Sequence, residues 1–272
     1  MDDGPCVIGF LTDYGAQTEH VGALHAVVAA IAPGAGRIDL SHDIPAGDIR
    51  WGAVLVERLV RLMPRHSVTI AVVDPGVGTE RRAVALEVQG GRVVVGPDNG
   101  LLGLAADRLD AVRAVHITCG DHMRRPVSPT FHGRDIFAPV AARVTQGVPL
   151  EALGPAIDPV SLERPHLPEP SVRDGEVHAL AAGTDRFGNV ALWATGEHLL
   201  AAGLVPGDRI GAITGATRTR GVIGRTFADV PRGGLLAYVD SHGLVSLAVH
   251  GGSAEERIQA TAGEVIAIAR QL

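Results

Sequence analysis

Residues 71–100 read AVVDPGVGTERRAVALEVQGGRVVVGPDNG, and the interpretation of this stretch decides the fold. The apolar run Thr69–Val73 is a buried strand that stops at Asp74-Pro75-Gly76, where proline and glycine end sheet pairing. Open parallel sheets hold ligands at the carboxyl ends of their strands, so Asp74 stands where chemistry is expected. Gly76 and Gly78 let backbone N–H groups approach a ligand, and Arg81 and Arg82 place two positive charges nearby. Strands over Ala83–Val88 and Arg92–Val95 follow, and the second ends in Gly96-Pro97-Asp98-Asn99-Gly100. Two strand ends with like turns are expected to form two walls of one pocket. The same dipeptides are also ordinary turn formers, and the stretch alone leaves both readings open.

Working toward the N-terminus, Cys6–Leu11 is an apolar strand ending in Thr12-Asp13-Tyr14-Gly15. Val21, Leu24, Val28 and Ile31 mark one face of a helix over Glu19–Ala32. Arg37–Leu40 is a second strand, and Asp48 is expected to cap a helix over Ile49–Met63. Strand, helix, strand, helix, strand predicts an α/β domain built on a parallel sheet. Toward the C-terminus come a helix (Leu101–Arg108), a strand (Val112–Ile117) and a helix over Ile136–Thr145 capped by Asp135.

Six prolines fall between Val148 and Pro170, which reads as a linker between an N-terminal domain (1–165) and a C-terminal one (166–272). Beyond it, strands over Gly175–Ala182, Val190–Ala194, Arg209–Thr214, Leu235–Val239, Leu244–Val249 and Glu264–Ala269 predict a smaller all-β, barrel-like domain.

Composition narrows the function. At 272 residues, with 46% hydrophobic residues and a mean hydropathy of +0.21, the chain belongs among packed globular proteins. A net charge of −6 disfavours a nucleic-acid partner. Cys6 and Cys119 offer neither a disulfide framework nor a thiolate metal cluster. The acidic start MDDGP lacks a secretory pattern, and no apolar run reaches the ~18 residues of a membrane span. A soluble cytoplasmic protein is expected.

The absent motifs are equally informative. No GxGxxG follows the first strand, no GK[ST] occurs, and GxSxG is missing. The chain has no lysine, which excludes a Schiff-base or pyridoxal-phosphate lysine. No HExxH-type spacing occurs. The sequence-adjacent pairs Glu19-His20, His42-Asp43, Asp121-His122 and Glu197-His198 point their side chains apart, so no metal is expected. His20, His66, His122 and His198 are expected at the surface, and His132, taken as a lone histidine in its loop, reads more often as a satisfied structural residue. Asp13 can accept hydrogen bonds from a ribose diol or serve as a turn aspartate. In Asp185-Arg186-Phe187-Gly188-Asn189, Phe can stack on a base, Asn can bond its edge and Asp can hold an amine. The alternative is a β-turn whose Phe plugs the core, and Phe227 and Asp240-Ser241-His242-Gly243 pose the same choice.

Taken together, LTDYG (11–15), VVDPGVGTERR (72–82), GPDNGLL (96–102), TFHGRD (130–135), DRFGN (185–189) and TFAD (226–229) occur in the order found in SAM hydroxide adenosyltransferases. The chain resembles that family, whose relatives include fluorinase and chlorinase, from about residue 6 to about residue 250. The resemblance implies an α/β domain followed by a β-barrel-like domain, a homotrimer with SAM bound between subunits, and conversion of SAM and water to adenosine and L-methionine. SAM is then the substrate, and no cofactor is implied. The family's Asp-Arg-His trio falls on Asp74, Arg81 and His132, where Arg81 would stabilise hydroxide character and the other two would orient the water and share its proton.

By motif, Asp13 would hold the ribose diol, and Phe187, Asn189 and Phe227 would contact adenine. Asp185 would meet the methionine ammonium, and Ser241 with His242 its carboxylate. Thr18 and Gly47 stand where the family usually has an aspartate and an aromatic, with Trp51 a candidate to replace that ring. Ser246 and His250 stand where Glu and Asn are usual. The alternatives are a SAM-dependent halogenase, disfavoured because the carboxylate of Asp74 would repel a halide, and a SAM- or adenosine-binding module without turnover.

Overall fold

The computed structural model describes residues 7–215 and 217–271. Cys6 and the acidic segment 1–5 lie outside the described residues. The chain divides into two units, Met1–His166 and Leu167–Leu272.

The first unit contains β1 (Val7–Thr12), α1 (Glu19–Ile31), β2 (Gly36–Ser41), α2 (Ile49–Leu62), β3 (Val68–Val72), β4 (Ala83–Val88), β5 (Arg92–Pro97), α3 (Gly103–Arg108), β6 (Arg113–His116), α4 (Ala138–Thr145) and β7 (Ala156–Ile157). Its seven-stranded sheet has the order β2-β1-β3-β5-β4-β6-β7. The half that carries the helical crossovers is parallel: β1 pairs with β2 and β3, and β3 with β5. The other half is antiparallel. β4 and β5 are joined only by Gln89-Gly90-Gly91, whose glycines take φ +82° and +67°. So short a connection can close only an antiparallel pair, because parallel strands need a crossover of a dozen or more residues.

Alternate strand residues point to opposite faces. Ile8, Phe10, Ile70 and Val72 join Leu24 and Val28 of α1 and Val140 of α4 in one core. Gly9 faces the other way, where a Cβ would press on the side-chain ends of Leu40 at 2.9 Å and Met63 at 3.1 Å. Asp48 caps α2 as expected, accepting from Trp51 N–H at 3.0 Å. Asp135 does not cap the last helix. It lies inside a π-helical turn, Gly133–Phe137, that precedes α4, and its carboxylate is committed elsewhere.

The proline-rich stretch is folded as far as residue 166. Leu153 is fully buried, Ala156–Ile157 pairs with β6, and the main chain of Ser161 and Glu163 is held by Arg82 and Asp98. Proline excludes regular helix there but leaves side chains and carbonyls free to pack.

The second unit contains β8 (Ser171–Arg173), β9 (Glu176–Thr184), β10 (Val190–Thr195), α5 (Gly196–Ala201), β11 (Arg209–Thr214), β12 (Thr217–Ile223), β13 (Leu235–Val239), β14 (Leu244–Val249), α6 (Ala254–Ile258) and β15 (Val265–Arg270). The order β10-β14-β13-β12-β11-β15-β9, with β9 returning to β10, closes a seven-stranded barrel to which β8 adds an outer strand. Val177, Leu192, Ile210, Leu247 and Ile268 fill its interior. The sequence reading passes over β12, because TRTRGVI carries two arginines. Its inward residues Thr219 and Ile223 are nevertheless buried, in the alternation of a barrel strand. Among the described residues, no helix is long and apolar enough to cross a membrane.

Candidate active site

The parallel register sets Leu11 beside Ala71 and Thr12 beside Val72. Asp13 and Asp74 therefore leave neighbouring strands at the same, carboxyl edge of the sheet. After Asp74 the chain turns twice, with Val77 N–H donating to Asp74 O (3.1 Å) and Thr79 N–H to Gly76 O (3.2 Å). These turns return Arg81 to Asp74. The Arg81 Nε–H donates to both oxygens of Asp74 at 3.0 and 3.1 Å, and Nη2 reaches Oδ2 as well. The guanidinium lies 5.5 Å from the centre of the Phe137 ring. The two side chains are only 9% and 5% exposed, so the pair is largely desolvated and its geometry is fixed.

A second segment completes the group. Gly78 (φ +82°) packs so closely on Pro129 that a Cβ would lie 2.5 Å from the Pro129 carbonyl oxygen. This contact brings up the Pro129–His132 loop, and Nη2 of Arg81 donates to Nδ1 of His132 at 2.7 Å. A guanidinium can only donate, so Nδ1 is the acceptor and the neutral ring carries its hydrogen on Nε2. Burial, and then the charge of Arg81, hold His132 below the ordinary histidine range despite the opposing carboxylates of Asp74 and Asp135.

Asp135, not a helix cap, anchors this loop. It accepts from Ser128 N–H at 2.9 Å and from Arg134 at 2.7 and 2.8 Å. Burial would raise its pKa, but the hydrogen bonds from Arg134 and Ser128 outweigh that and lower it.

Asp13, Asp74 and His132 line one cavity of about 380 Å³, together with Tyr14, Gly47 and Thr130. Asp13 Oδ2 accepts from Gly47 N–H at 2.8 Å, and burial raises the Asp13 pKa. Gly47 sits at φ +75°, a conformation an aromatic residue would adopt only under strain. Trp51 is 6% exposed, beneath Arg58 and outside the cavity lining, so it does not replace the missing ring.

Tyr14 carries no assignment in the sequence reading, yet its hydroxyl lies where a Cβ on Gly133 would come within 2.4 Å. Burial, with the carboxylates of Asp13 and Asp74 adding to it, pushes its phenol well above the ordinary tyrosine range. The expected second wall is absent from this cavity. Arg82 turns away from Arg81 to bind the buried Asp98, and Asn99 ties its amide to Val73 O at 2.9 Å, so Gly96–Gly100 braces the strand ends from behind.

In the second unit, the Asp185–Asn189 turn is tied to the start of α6, because Gly188 O accepts from Ala254 N–H at 2.9 Å and Glu255 N–H at 3.0 Å, while its aspartate bonds within the turn. Asp185 accepts from Phe187 N–H, Asn189 N–H and the Asn189 amide at 2.8–2.9 Å. Phe187 is 67% exposed under the guanidinium of Arg186, so it does not plug the core. Phe227 is also exposed, with its ring 5.5 Å from that of Tyr238. Burial raises the Tyr238 phenol, and Asp240 and Asp185 raise it further, which puts both acidic turns near this ring. Tyr238 is a second residue the sequence reading overlooks, because one aromatic on a barrel strand looks like core. Ser241 and His242 are exposed on the turn after β13, where Asp240 accepts from His242 N–H at 2.8 Å.

Of the histidines expected at the surface, His20 and His66 are exposed. His122 and His198 are half-buried, and His198 closes the N-terminus of α5 by accepting from Thr195 N–H.

Two family profiles match the chain: the SAM hydroxide adenosyltransferase N-terminal domain over residues 8–154 and the C-terminal domain over residues 182–267. The chain belongs to the SAM hydroxide adenosyltransferase family. It is 45% identical over 265 residues to the (R)-S-adenosyl-L-methionine hydrolase of Salinispora arenicola, covering 96% of this chain and 97% of that one. It is 46% identical over 261 residues to the protein of the same name from Salinispora tropica, covering 94% and 95%. Among solved structures, an uncharacterized conserved protein from Thermotoga maritima superposes with a TM-score of 0.90 at 33% identity, covering 97% of this chain and all of that one. The six motifs quoted from the sequence all fall within the family's two domains or at their borders.

Proposed function

We propose that this protein hydrolyses S-adenosyl-L-methionine, giving adenosine and L-methionine. The observation that carries the reading is the Arg81 guanidinium bonded to both Asp74 and Nδ1 of His132, two residues that line the cavity. Water attacks the ribose C5′ in line with the sulfonium, and methionine leaves as a neutral thioether that needs no proton. No general acid is required. The protein has to hold one water, favour its hydroxide character and take its proton.

Arg81 supplies the fixed positive field. His132, neutral with hydrogen on Nε2, donates to the attacking water and orients it. The carboxylate of Asp74 accepts the proton as the C5′–O bond forms and the C5′–S bond breaks, and the proton then passes to solvent. Asp13 receives the ribose hydroxyls. Phe187, Phe227 and Asn189 take the adenine, Asp185 the ammonium, and Ser241 with His242 the carboxylate of the methionine portion. The family relationship and the exposure of these side chains support a homotrimer that encloses SAM between subunits. The same relationship supports a cytoplasmic setting. SAM is the substrate, and no cofactor enters the scheme.

Incubation with SAM, followed by chromatography with and without chloride, tests the reading. Equal amounts of adenosine and methionine, independent of chloride, are expected. Formation of 5′-chloro-5′-deoxyadenosine would replace the reading by halogenation, and binding of SAM without product would reduce the protein to a binding module.

A further inference from the structure

On the β2 edge of the sheet, three side chains distant in sequence meet. His25 comes from α1, Asp39 from β2 and His42 from the residues just after it. His25 Nε2 lies 2.7 Å and His42 Nε2 3.0 Å from the same oxygen of Asp39, and all three donor atoms fall within 4.8 Å of one another. We propose that His25, Asp39 and His42 form a site for a divalent transition-metal ion, zinc foremost. The proposal is independent of the reaction assigned to the cavity.

The donor set fits the ion. Two imidazoles and one carboxylate suit zinc and its neighbours, and a three-residue set leaves a position for water. Bonds of about 2.0–2.1 Å in a tetrahedral arrangement hold donor atoms about 3.4 Å apart. The observed 2.7 and 3.0 Å contacts therefore need to open by well under 1 Å.

Both rings are already oriented. His25 stacks on Phe10 with centroids 4.2 Å apart and planes at 23°, and Phe10 is the cross-strand partner of Asp39. The buried His42 has its Nδ1 held at 2.8 Å by the hydroxyl of the fully buried Thr12. A metal-ligating histidine needs such a partner on its second nitrogen. The hydroxyl serves either state, donating to Nδ1 while Nε2–H bonds Asp39, and accepting from Nδ1–H when Nε2 binds a metal. Asp39, half exposed at the sheet edge, gives an ion access.

The site adjoins the cavity through the backbone. His42 O accepts from Gly15 N–H at 2.8 Å, Thr12 precedes Asp13, and residues 46 and 47 line the cavity wall. A bound ion would clamp the 42–48 segment against α1 and β1.

The experiment uses full-length protein without a histidine tag, stripped by chelator and titrated with Co²⁺ and then Zn²⁺. One equivalent of Co²⁺ should produce the intense visible d–d absorption of four- or five-coordination, Zn²⁺ should displace it, and the midpoint of thermal unfolding should rise. Asp39→Asn and His25→Ala, at partly exposed positions, should each weaken binding by about 100-fold or more, and Thr12→Val by about 10-fold or more. Circular dichroism of the stripped variants checks that they fold. A cobalt spectrum that stays that of the aqueous ion, or stoichiometric binding undiminished in both ligand variants, would overturn the proposal and leave Asp39 as a hydrogen-bonding bridge between two histidines.

Discussion

The Asp74 loop and the Asp185 turn look alike as sequence. Each follows an apolar strand, opens with an aspartate, includes arginine and glycine, and lies within one of the two matched family domains. In the folded protein they are opposites. The carboxylate of Asp74 is 5% exposed and acquires Arg81 seven residues on, and Arg81 in turn acquires His132 from 51 residues further. The carboxylate of Asp185 accepts its hydrogen bonds from residues within four positions, and the Phe187 beside it stands in the open. The first is a group fixed by tertiary structure and removed from water. The second is a local turn that presents side chains outward. An arrangement of the first kind suits transition-state electrostatics, which depends on preorganised charge, and one of the second suits recognition of a flat or zwitterionic ligand.

The sharpest way to break the comparison is to cut the first arrangement. Arg81→Ala should remove measurable turnover and also cost about 3–5 kcal/mol of stability, because Asp74 is left as a buried, unpaired charge. Asp74→Asn should lower kcat by about 10²–10⁴-fold with less loss of stability, since the shape is kept. Product chromatography and urea unfolding check both. Loss of turnover with unchanged unfolding in Arg81→Ala would mean the pair is not desolvated as described.

The pH profile probes the same group. Protonation of His132 at Nδ1 abolishes its bond from Arg81. Its folded pKa lies below the ordinary value of 6.5, so activity should persist as pH falls through 6.5 and decline only lower. The matching stability contribution is fully present above 6.5 and is lost as pH falls toward the depressed folded value. An acid limb at or above 6.5 would contradict the Nδ1-acceptor tautomer.

Variants of the second arrangement should behave differently. Phe187→Ala should raise KM by about 5- to 150-fold, the worth of one base–aromatic stack, with unfolding unchanged because the ring is exposed. A large loss of stability would make Phe187 a packing residue after all. The smallest effect is expected from Ser241→Ala, a few-fold rise in KM from one hydrogen bond of about 1 kcal/mol, read in the same assay.

Much of the architecture was legible because its causes are local. The apolar runs at Thr69–Val73 and Ala83–Val88, the stops at Asp74-Pro75-Gly76, and the Asp48 cap each depend on a few neighbouring residues. The Gly90-Gly91 turn also encodes the antiparallel β4–β5 pair, a local signal that runs against the parallel βαβ pattern upstream. The barrel strand β12 was hidden because arginines on its outer face broke the apolar signal.

By itself, the sequence determined the alternation of strands and helices, the change to an all-β second half, and the chemical types available: carboxylates at strand ends, arginines beside them, no lysine, and aromatics in polar turns. Tertiary structure alone decided that Arg81 joins Asp74 to His132 while Arg82 braces Asp98, that Asp135 anchors a loop and caps no helix, and that His25, Asp39 and His42 meet. Hydrophobic pattern and turn chemistry act over a few residues and can be read in order. Which distant side chains share a hydrogen bond depends on strand order and register, and these are set only when the whole core packs.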